Sequence, residues 1–288
     1  MRNFEQSAQV GIGYRNEIHD WTLANLASFD LLEITIDHYL VGGTARREAI
    51  ASLVGQIPLI AHGIGLSVGT AVLPDQTYLD NIARALDELE IEWYSEHLAL
   101  TKVPGIDLAN LLPLPRTEEV VEQVIKNVNF VRSRIPAARF GLENISYMFD
   151  YPESTMGEAE FLNLICRETG SYIMLDVENV VVNARNYHYD PRSFVDSLPA
   201  DQVLEIHMAG GFFFEQTRID SHSQPVPQET LDLLDYVLQV CEPRSIVLER
   251  DDRLGAVDEI AADVSAIRDV VGKEAVGKGY ENAKPAVA

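Results

Sequence analysis

Residues 171–180 read SYIMLDVENV, a short apolar run that ends in acidic and amide side chains. The run 172–175 has the length and composition of a strand buried on both faces, and Asp176, Glu178 and Asn179 follow where that strand ends. Six other runs have the same form, and they read ITIDH, IAHG, SEH, LEN, IHMAG with IDSH just beyond it, and LER. This repetition predicts parallel strands whose polar ends lie at one edge of a sheet.

These runs, and one near the N-terminus, alternate with segments of helical spacing. Strands are predicted at residues 9–14, 31–37, 58–62, 92–97, 139–144, 172–177, 203–208 and 245–249. Helices are predicted at residues 20–28, 45–55, 75–89, 117–135, 157–169, 191–197, 227–240 and 257–271. Two helix starts carry clear signals, because Thr117 precedes two acidic residues and Asp190 precedes Pro191.

Eight strand–helix alternations in about 250 residues predict a (β/α)₈ TIM barrel. The alternative is an open, doubly wound sheet, which would require a glycine fingerprint after the first strand. Gly11-Ile12-Gly13 lacks the third glycine at the required position. We therefore expect a single TIM-barrel domain over residues 1–271. Residues 272–288 have no apolar periodicity, and we expect them to form a short disordered C-terminal tail.

The composition limits the classes of partner. The chain has 288 residues and a formal net charge of −23, which repels a nucleic-acid backbone. No stretch approaches the roughly 20 consecutive apolar residues of a membrane span, and the first ten residues lack the build of a secretory signal. We expect a cytoplasmic protein with no nucleic-acid and no membrane partner. Cys166 and Cys241 lie in helical segments without CxxC spacing, and we expect buried, unreactive thiols.

Nine polar side chains at or near these strand ends are of the types that bind metal ions. Residues at the C-terminal ends of different barrel strands point toward one axis, so ligands far apart in sequence can meet. Burying so many carboxylates together without cations would cost several kcal/mol per ion, and histidine and carboxylate ligands without thiolate suit iron, manganese or zinc. The predicted ligands are His62, His97, Glu143, Asp176, Asn179, His207, Asp220, His222 and Glu249.

The order of these residues suggests three linked sites, with Glu143 as the bridge between the first two. The first would use His62 and His97, the second Asp176, His207 and Glu249, and the third Asn179, Asp220 and His222.

Each of these side chains has an ordinary interpretation when it is taken alone. A single histidine on an apolar strand is more often a satisfied core residue than a ligand, and a single acid often caps the next helix. His19 is expected on the surface, and Glu96 is expected to point away from the axis because His97 points toward it. Asp37-His38 and Tyr187-His188 are candidates for contact with the ligands or with substrate.

Eight motifs, seven of which contain these predicted ligands, resemble those of the multinuclear non-haem iron-dependent oxidative enzymes. They run in order from about Val10 to Asp251, as HGIGLS at 62–67, SEHLA at 95–99, LLPLP at 111–115, LENIS at 142–146, LDVEN at 175–179, IHMAG at 206–210, IDSH at 219–222 and LERD at 248–251. The resemblance implies two or three iron ions (Fe²⁺/Fe³⁺), dioxygen as cosubstrate, and modification of cysteine or another residue in a ribosomally synthesised precursor peptide. It also implies a separate peptide-recognition protein as partner.

Two positions depart from the family pattern. The family usually has Asn-Asn where this chain has Glu178-Asn179, and Asn-His-Gly-Phe-Asp-Pro where residues 186–191 read NYHYDP. These departures bear on the substrate and the third metal site more than on the fold.

Three alternatives remain open at this stage. The ligand order also resembles that of endonuclease IV, an enzyme of the xylose-isomerase-like barrel type. Its trinuclear zinc site has a histidine where this chain has Asn179, so a zinc-dependent phosphoesterase is one alternative, although an amide oxygen there favours iron. A sugar isomerase on a related barrel would need a lysine at a strand end, and none is predicted there. A non-enzymatic metal-binding protein would not need open coordination positions.

Overall fold

The computed structural model describes the backbone of residues 8–282 and the side chains of residues 8–273. In this part of the chain the strands are β1 (Gln9–Tyr14), β2 (Leu31–Thr35), β3 (Leu59–Gly63), β4 (Trp93–His97), β5 (Leu100–Val103), β6 (Ile106–Leu112), β7 (Arg139–Glu143), β8 (Tyr172–Asp176), β9 (Val203–Met208), β10 (Phe212–Phe214), β11 (Thr217–Ile219) and β12 (Ser245–Leu248). The α-helices are α1 (His19–Ala24), α2 (Ile36–Val41), α3 (Thr44–Ala51), α4 (Gln76–Glu88), α5 (Glu118–Arg134), α6 (Glu158–Thr169), α7 (Val177–Tyr187), α8 (Pro191–Asp196), α9 (Gln228–Val240) and α10 (Val257–Asn282).

Eight strands close into a parallel barrel in the order β1, β12, β9, β8, β7, β4, β3, β2. The first and last strands of the chain complete the ring, with Ile12 opposite Leu248. The closed ring confirms the predicted TIM barrel and rules out the open, doubly wound sheet. All eight predicted strands form, and each ends within two residues of its predicted bounds.

The register of the barrel places the polar strand ends at one level. Thr35 lies opposite His62, His97 opposite Glu143, and Asp176 opposite His207. Paired residues of neighbouring parallel strands lie side by side, so residues that are far apart in sequence form a continuous belt at the C-terminal ends of the strands.

Helices cover the outside of the barrel, so its strands are buried on both faces. Ile34 and Leu142 are fully buried within their strands, and α4 buries Leu79 and Ile82 at helical spacing. The two predicted helix starts are confirmed. Thr117 accepts a hydrogen bond from Val120 N, and Asp190 accepts one from Arg192 N.

Two antiparallel hairpins, β5–β6 and β10–β11, follow the C-terminal ends of β4 and β9. Neither segment was predicted to form strands. Each hairpin extends the side of the barrel on which the polar strand ends lie. The first strand of the second hairpin exposes the apolar run Phe212–Phe214.

Helix α7 is the largest departure from the predicted elements, because a loop was expected after the sixth barrel strand. The helix starts directly after β8, and the Asp176 carboxylate caps it by accepting a hydrogen bond of 2.7 Å from Asn179 N. The β-branched run 180–182 does not favour a helix by itself, but all three of its residues are buried. Tertiary packing outweighs local propensity here.

Two other boundaries differ. Strand β2 ends at Thr35 and α2 begins at Ile36, where the strand was predicted to reach Asp37. Helix α10 continues to Asn282, past the predicted end at Val271, and residues 283–288 of the expected tail lie outside the described residues. Among the described residues, no helix has the length and apolar content that crossing a membrane requires.

Candidate metal centre

The structure brings the nine predicted ligands together on the C-terminal side of the barrel. Strand ends carry His62 (β3), His97 (β4), Glu143 (β7), Asp176 (β8) and His207 (β9), while Glu249 directly follows β12, Asn179 lies in the first turn of α7, and Asp220 and His222 follow β11. The central members are deeply buried, since Glu143, Asp176 and His207 are at most 1% exposed.

A first group consists of two imidazoles and one carboxylate. His62 Nε2 lies 3.2 Å from Glu143 Oε2, and His97 Nε2 lies 3.1 Å from the same oxygen. The two Nε2 atoms are 3.4 Å apart. These three ligand atoms therefore surround a common point, as the sequence analysis expected for the first site.

The hydrogen bonds behind these imidazoles set which nitrogen faces the site. His97 Nδ1 lies 3.0 Å from the Gly63 carbonyl oxygen, which can only accept, so Nδ1 carries the proton and Nε2 keeps its lone pair. Ser95 Oγ contacts His62 Nδ1 at 2.9 Å. Residue 63 must be glycine, because a Cβ there would lie 2.3 Å from Glu96 Oε1. This arrangement presents both Nε2 atoms as metal ligands.

A second group forms around His207. Its Nε2 donates to Glu33 Oε2 at 2.9 Å, which leaves Nδ1 3.2 Å from Glu249 Oε2 and 3.8 Å from Glu143 Oε1. Ligand atoms of Glu143, Asp176 and His207 all lie within 4.8 Å of one another. A carboxylate behind a histidine is the usual means of orienting a metal-binding imidazole.

A third group joins the second. His222 Nε2 lies 2.8 Å from Asp220 Oδ1, and His222 Nδ1 lies 3.2 Å from Glu249 Oε2. Asp176, His222 and Glu249 also offer ligand atoms within 4.8 Å of one another. His222 has a left-handed φ of 48°, so the segment is not extended at this residue, and the side chains of Asp220 and His222 meet. Asp176 and Glu249 are thus shared between the second and third groups.

Asn179 completes the set with an amide oxygen. Its Nδ2 donates to the Asn144 carbonyl oxygen at 3.1 Å, and this bond orients the amide so that Oδ1 stays free of hydrogen bonds. Asn144 in turn pairs with the backbone of Asp176, donating to its carbonyl and accepting from its N–H, each at 3.0 Å. Asn144 therefore ties the ends of β7 and β8 together behind the ligands.

Burial shifts the pKa of most groups at this centre in the direction that favours the neutral form of the group. It raises the pKa of Glu143 well above its usual range, and burial together with Asp220 raises the pKa of Asp176 to about 7. Burial also lowers the pKa of His62 and brings that of His97 to about 4. The imidazoles of the first group are therefore uncharged at neutral pH, which is the form that binds metal.

The pKa values of the other two imidazoles and of Glu249 shift in the direction that favours the charged form. Burial lowers the pKa of His207 and His222, but the carboxylates of Glu33 and Asp220, respectively, outweigh it and raise both pKa values. Burial would raise the pKa of Glu249, yet His222 and His207 hold it well below its usual range. In the absence of bound cations, the positive charges of protonated His207 and His222 therefore compensate the negative charges of the neighbouring carboxylates.

Several buried nitrogen and oxygen atoms at this centre, all of types that bind metal ions, make no hydrogen bond in the described part of the chain. They are Glu143 Oε2, Asp176 Oδ2, Asn179 Oδ1, His207 Nδ1, Asp220 Oδ1 and His222 Nε2. An unsatisfied buried polar atom costs about 1–3 kcal/mol, and cations bound among these atoms would satisfy them all. The donors are nitrogen and oxygen without thiolate, a set that suits iron, manganese or zinc. The residues present thus fit a multinuclear metal centre.

Besides the contacts of Ser95 and Asn144 described above, sequence reasoning missed those that Arg15 and Glu33 make with the ligands. Arg15, 7% exposed, donates to Glu249 Oε1 at 2.9 Å and to Asp251 Oδ1 at 2.6 Å, so only Oε2 of Glu249 faces the imidazoles. Arg15 directly follows β1, the one strand whose end was left out of the ligand search. Glu33, which accepts a hydrogen bond from His207, is an acidic residue inside the buried strand LLEIT. An acid at such a position needs a buried partner, and this is the feature of the sequence that could have indicated its role.

Other candidates lie outside the centre. Asp37 accepts hydrogen bonds from Ile64 N and Tyr78 Oη, His38 is exposed, and His188 is exposed at the C-terminal end of α7. Glu96 accepts from Tyr94 Oη at 2.8 Å and from Leu66 N at 3.1 Å, away from the ligands, as the strand alternation predicted. Its role is structural.

Glu178, one of the two departures from the family pattern, is also structural. It is fully buried, and its carboxylate accepts from Arg218 Nη2 at 2.8 and 2.9 Å, from Thr230 Oγ1 at 2.7 Å and from Gly211 N at 3.1 Å. Arg218 stands two positions before Asp220. The ion pair therefore anchors the segment that carries the third group of ligands.

Comparisons with known proteins agree with this geometry. The model of the RiPP precursor modification enzymes MbnB/TglH/ChrH, where RiPP denotes a ribosomally synthesised and post-translationally modified peptide, matches residues 9–272. A UPF0276 protein of Caulobacter vibrioides is 32% identical over 239 residues, which is 83% of this chain and 85% of that protein. One of Nitrosospira multiformis is 33% identical over 267 residues, covering 92% and 93% of the two chains.

Solved structures share the fold at low sequence identity. L-ribulose 3-epimerase superposes with a TM-score of 0.62 at 14% identity, covering 98% of this chain and 100% of that one. Endonuclease IV from Thermus thermophilus gives a TM-score of 0.58 at 14% identity, covering 92% and 99%. These likenesses concern the barrel alone.

Proposed function

This chain belongs to the family of RiPP precursor modification enzymes MbnB/TglH/ChrH, and we propose that it oxidises a residue of a ribosomally synthesised precursor peptide by means of a multinuclear non-haem iron centre and dioxygen. The family supports a peptide-modifying enzyme. Iron, dioxygen and the modification of cysteine or another side chain are the finer parts of the proposal.

The observation that carries the proposal is the set of buried nitrogen and oxygen atoms at and near the strand ends that lie close to one another but make no hydrogen bond within the described chain. Three groups of ligand atoms share Glu143, Asp176 and Glu249, so cations bound there would be neighbours. Iron bound there would supply a binding position for dioxygen and a route by which electrons pass from a substrate side chain to dioxygen, the oxidant. The ligands that we propose are His62, His97, Glu143, Asp176, Asn179, His207, Asp220, His222 and Glu249.

The chain's own residues orient this centre and compensate its charge. The Gly63 carbonyl oxygen and the Glu33 carboxylate accept hydrogen bonds from Nδ1 of His97 and Nε2 of His207, and these bonds set which ring nitrogen faces the ligand groups. Arg15 donates a hydrogen bond to Oε1 of Glu249, so Oε2 faces the ligand groups. The amide of Asn179 is oriented by Asn144. A preformed geometry of this kind reduces the reorganisation that catalysis requires.

Access of water and substrate depends on the hairpins β5–β6 and β10–β11. The sequence favours loops after the fourth and sixth barrel strands as the segments that exclude water, whereas in the structure we expect the two hairpins to limit water at the centre. The sixth strand is instead followed by α7, and the second hairpin follows the seventh barrel strand. The exposed run Phe212–Phe214 supports our further proposal of a separate peptide-recognition protein as partner.

Zinc-dependent phosphoester hydrolysis is the second candidate, and the likeness of the barrel to endonuclease IV favours it. A net charge of −23 opposes a nucleic-acid substrate, and the amide of Asn179 is a weak ligand for zinc. A metal-binding protein without catalysis is the third. The bound metal separates these candidates, since stoichiometric zinc supports the hydrolase.

The test combines metal analysis with turnover. Protein purified without oxygen should contain two or three iron ions per chain, with Mössbauer signals of coupled iron. Mixed anaerobically with its cognate precursor peptide, the ferrous protein should give product only after air is admitted, and zinc-loaded protein should give none. The same product at the same rate without oxygen would overturn the proposal.

A further inference from the structure

A groove of about 770 Å³ lies between α6 and the segment that runs from the end of α7 into α8. Its walls include Tyr147, Glu158, Asn163, Tyr187, Tyr189 and Phe194. None of these residues is among the proposed metal ligands. A concave site of this size is typical of small-ligand or side-chain binding.

Aromatic rings form one wall of the groove. The rings of Tyr147 and Tyr187 pack with their centroids 4.8 Å apart, and Tyr187 Oη donates to the Tyr147 carbonyl oxygen at 3.4 Å. Met148 and Phe149, on the same loop as Tyr147, are 62% and 45% exposed. Aromatic faces accept both apolar groups and the cationic side chains of lysine and arginine.

Unpaired polar atoms line the remainder of the groove. The Tyr189 hydroxyl and Asn163 Oδ1 are buried atoms that make no hydrogen bond within the described chain. Glu158 Oε2 accepts a long bond of 3.4 Å from Asn183 Nδ2, and burial raises the pKa of Glu158 to about 7 while Arg116 opposes the rise. Asn163 Oδ1 and the Glu158 carboxylate accept hydrogen bonds, and the Tyr189 hydroxyl can accept or donate. The acidic residues that line the groove, Asp150, Glu158 and Glu160, outnumber its one lining cation, Arg167, so a hydrogen-bond donor that carries positive charge fits it best.

One loop joins this groove to the metal centre. Residues 144–157 run from the end of β7, which carries Glu143, to the start of α6. On the way, Ser146 Oγ donates to Asp220 Oδ2 at 3.1 Å, and Tyr147 N donates to Asn183 Oδ1 at 3.1 Å. Tyr147, which lines the groove, therefore directly follows Ser146, which contacts the proposed ligand Asp220.

We propose that this groove binds a lysine or arginine side chain of the precursor peptide, flanked by an aromatic or apolar residue, and holds the peptide while another part of it reaches the metal centre. The identity of the occupant as a precursor peptide rests on the proposed function. The choice of a basic segment rests on the acceptor groups of the groove and on the net charge of −23, which favours association with a positively charged partner.

The test uses metal-loaded protein and a short amidated peptide with one lysine between two phenylalanines. Calorimetry should show saturable binding, and the counterpart with norleucine in place of lysine should bind at least about tenfold more weakly, since a charge-assisted hydrogen bond is lost. Equal binding of the two peptides, or no saturable binding of either, would overturn the proposal.

Two variants assign that binding to the groove. Glu158→Gln should weaken lysine-peptide binding about tenfold, whereas Glu122→Gln, the same charge change at an exposed position on α5, should change it less than about twofold. Tyr189→Phe should also weaken binding without lowering the melting temperature, because the buried hydroxyl makes no hydrogen bond within the described chain that the variant could lose. If both groove variants bind like the parent protein, the groove is not the site.

Turnover is measured separately, so the two proposals can fail independently. Oxygen-dependent product with unaltered binding in the groove variants would reject the groove and keep the oxidation. Groove-dependent binding without any oxygen-dependent product from the precursor would reject the oxidation and keep the groove.

Discussion

Replacing Glu143 by glutamine should have opposite effects on the metal-loaded and the metal-free protein. Glutamine keeps the volume of the side chain but removes the negative charge that lies between the first and second ligand groups. Glu143 Oε2 is within 3.2 Å of Nε2 of both His62 and His97, and Oε1 faces His207 Nδ1 at 3.8 Å. If this carboxylate bridges two cations, the variant should lose more than one metal ion per chain.

The metal-free variant should be more stable than the metal-free parent. Glu143 is 1% exposed, and burial raises its pKa, so the folded state disfavours its charged form. Replacing a poorly compensated buried charge by a neutral group is commonly worth about 1–4 kcal/mol, which amounts to a rise of a few degrees in melting temperature for a chain of this size. The amide nitrogen can also donate to His97 Nε2, whose lone pair is free.

The pH dependence has a defined sign. A carboxyl whose folded pKa lies above its unfolded value of about 4.3 destabilises the fold increasingly as pH rises past that value. The gain from Glu143→Gln in the metal-free protein should therefore be small near pH 4 and larger near pH 8. Thermal denaturation at the two pH values measures it.

The matched control is Glu96→Gln, which removes a buried carboxyl with a raised pKa at the neighbouring strand end, away from the ligands. That variant should keep the full metal content. Elemental analysis of both variants decides the bridging role, because a full complement of metal in Glu143→Gln would refute it. A metal-free Glu143→Gln protein that melts below its parent at pH 8 would refute the charge argument.

Three further predictions concern neighbouring contacts. Arg15→Gln leaves Glu249 without its buried cation and should lower the unfolding free energy of the metal-free chain by about 3–5 kcal/mol in denaturant titration, and an unchanged midpoint would contradict this. In a double-mutant cycle, alanine at Glu178 and at Arg218 should each be strongly destabilising, while the double variant should cost less than the sum by about 0.5–3 kcal/mol; strict additivity would argue against the pair. Burial raises the pKa of the Cys166 thiol, so a thiol reagent followed by absorbance should label it only as the protein unfolds, and rapid labelling of the native chain would show an open site.

Local patterns in the sequence were enough for the barrel and for the predicted ligand set. Each barrel strand is a short apolar run, and Glu143, Asp176 and His207 are the last or nearly the last residues of theirs, so their position at one edge follows from parallel pairing. Helix α7 was missed because its β-branched run 180–182 has low helix propensity, and its helical state depends on burial against the barrel.

The contacts behind the ligands, by contrast, needed the tertiary structure. Arg15 and Glu249 are 234 positions apart, and Glu33 and His207 are 174 apart, so their pairing depends on ring closure and register. The groove between α6 and α7–α8 likewise has no signature in either helix alone. Periodicity reports which face of one element is buried, whereas partners across the barrel are chosen by the geometry in which all eight strands close. Local sequence patterns therefore specify the strands and the residues at their ends. The charges and tautomers of those residues depend on the neighbouring groups that closure of the barrel places against them.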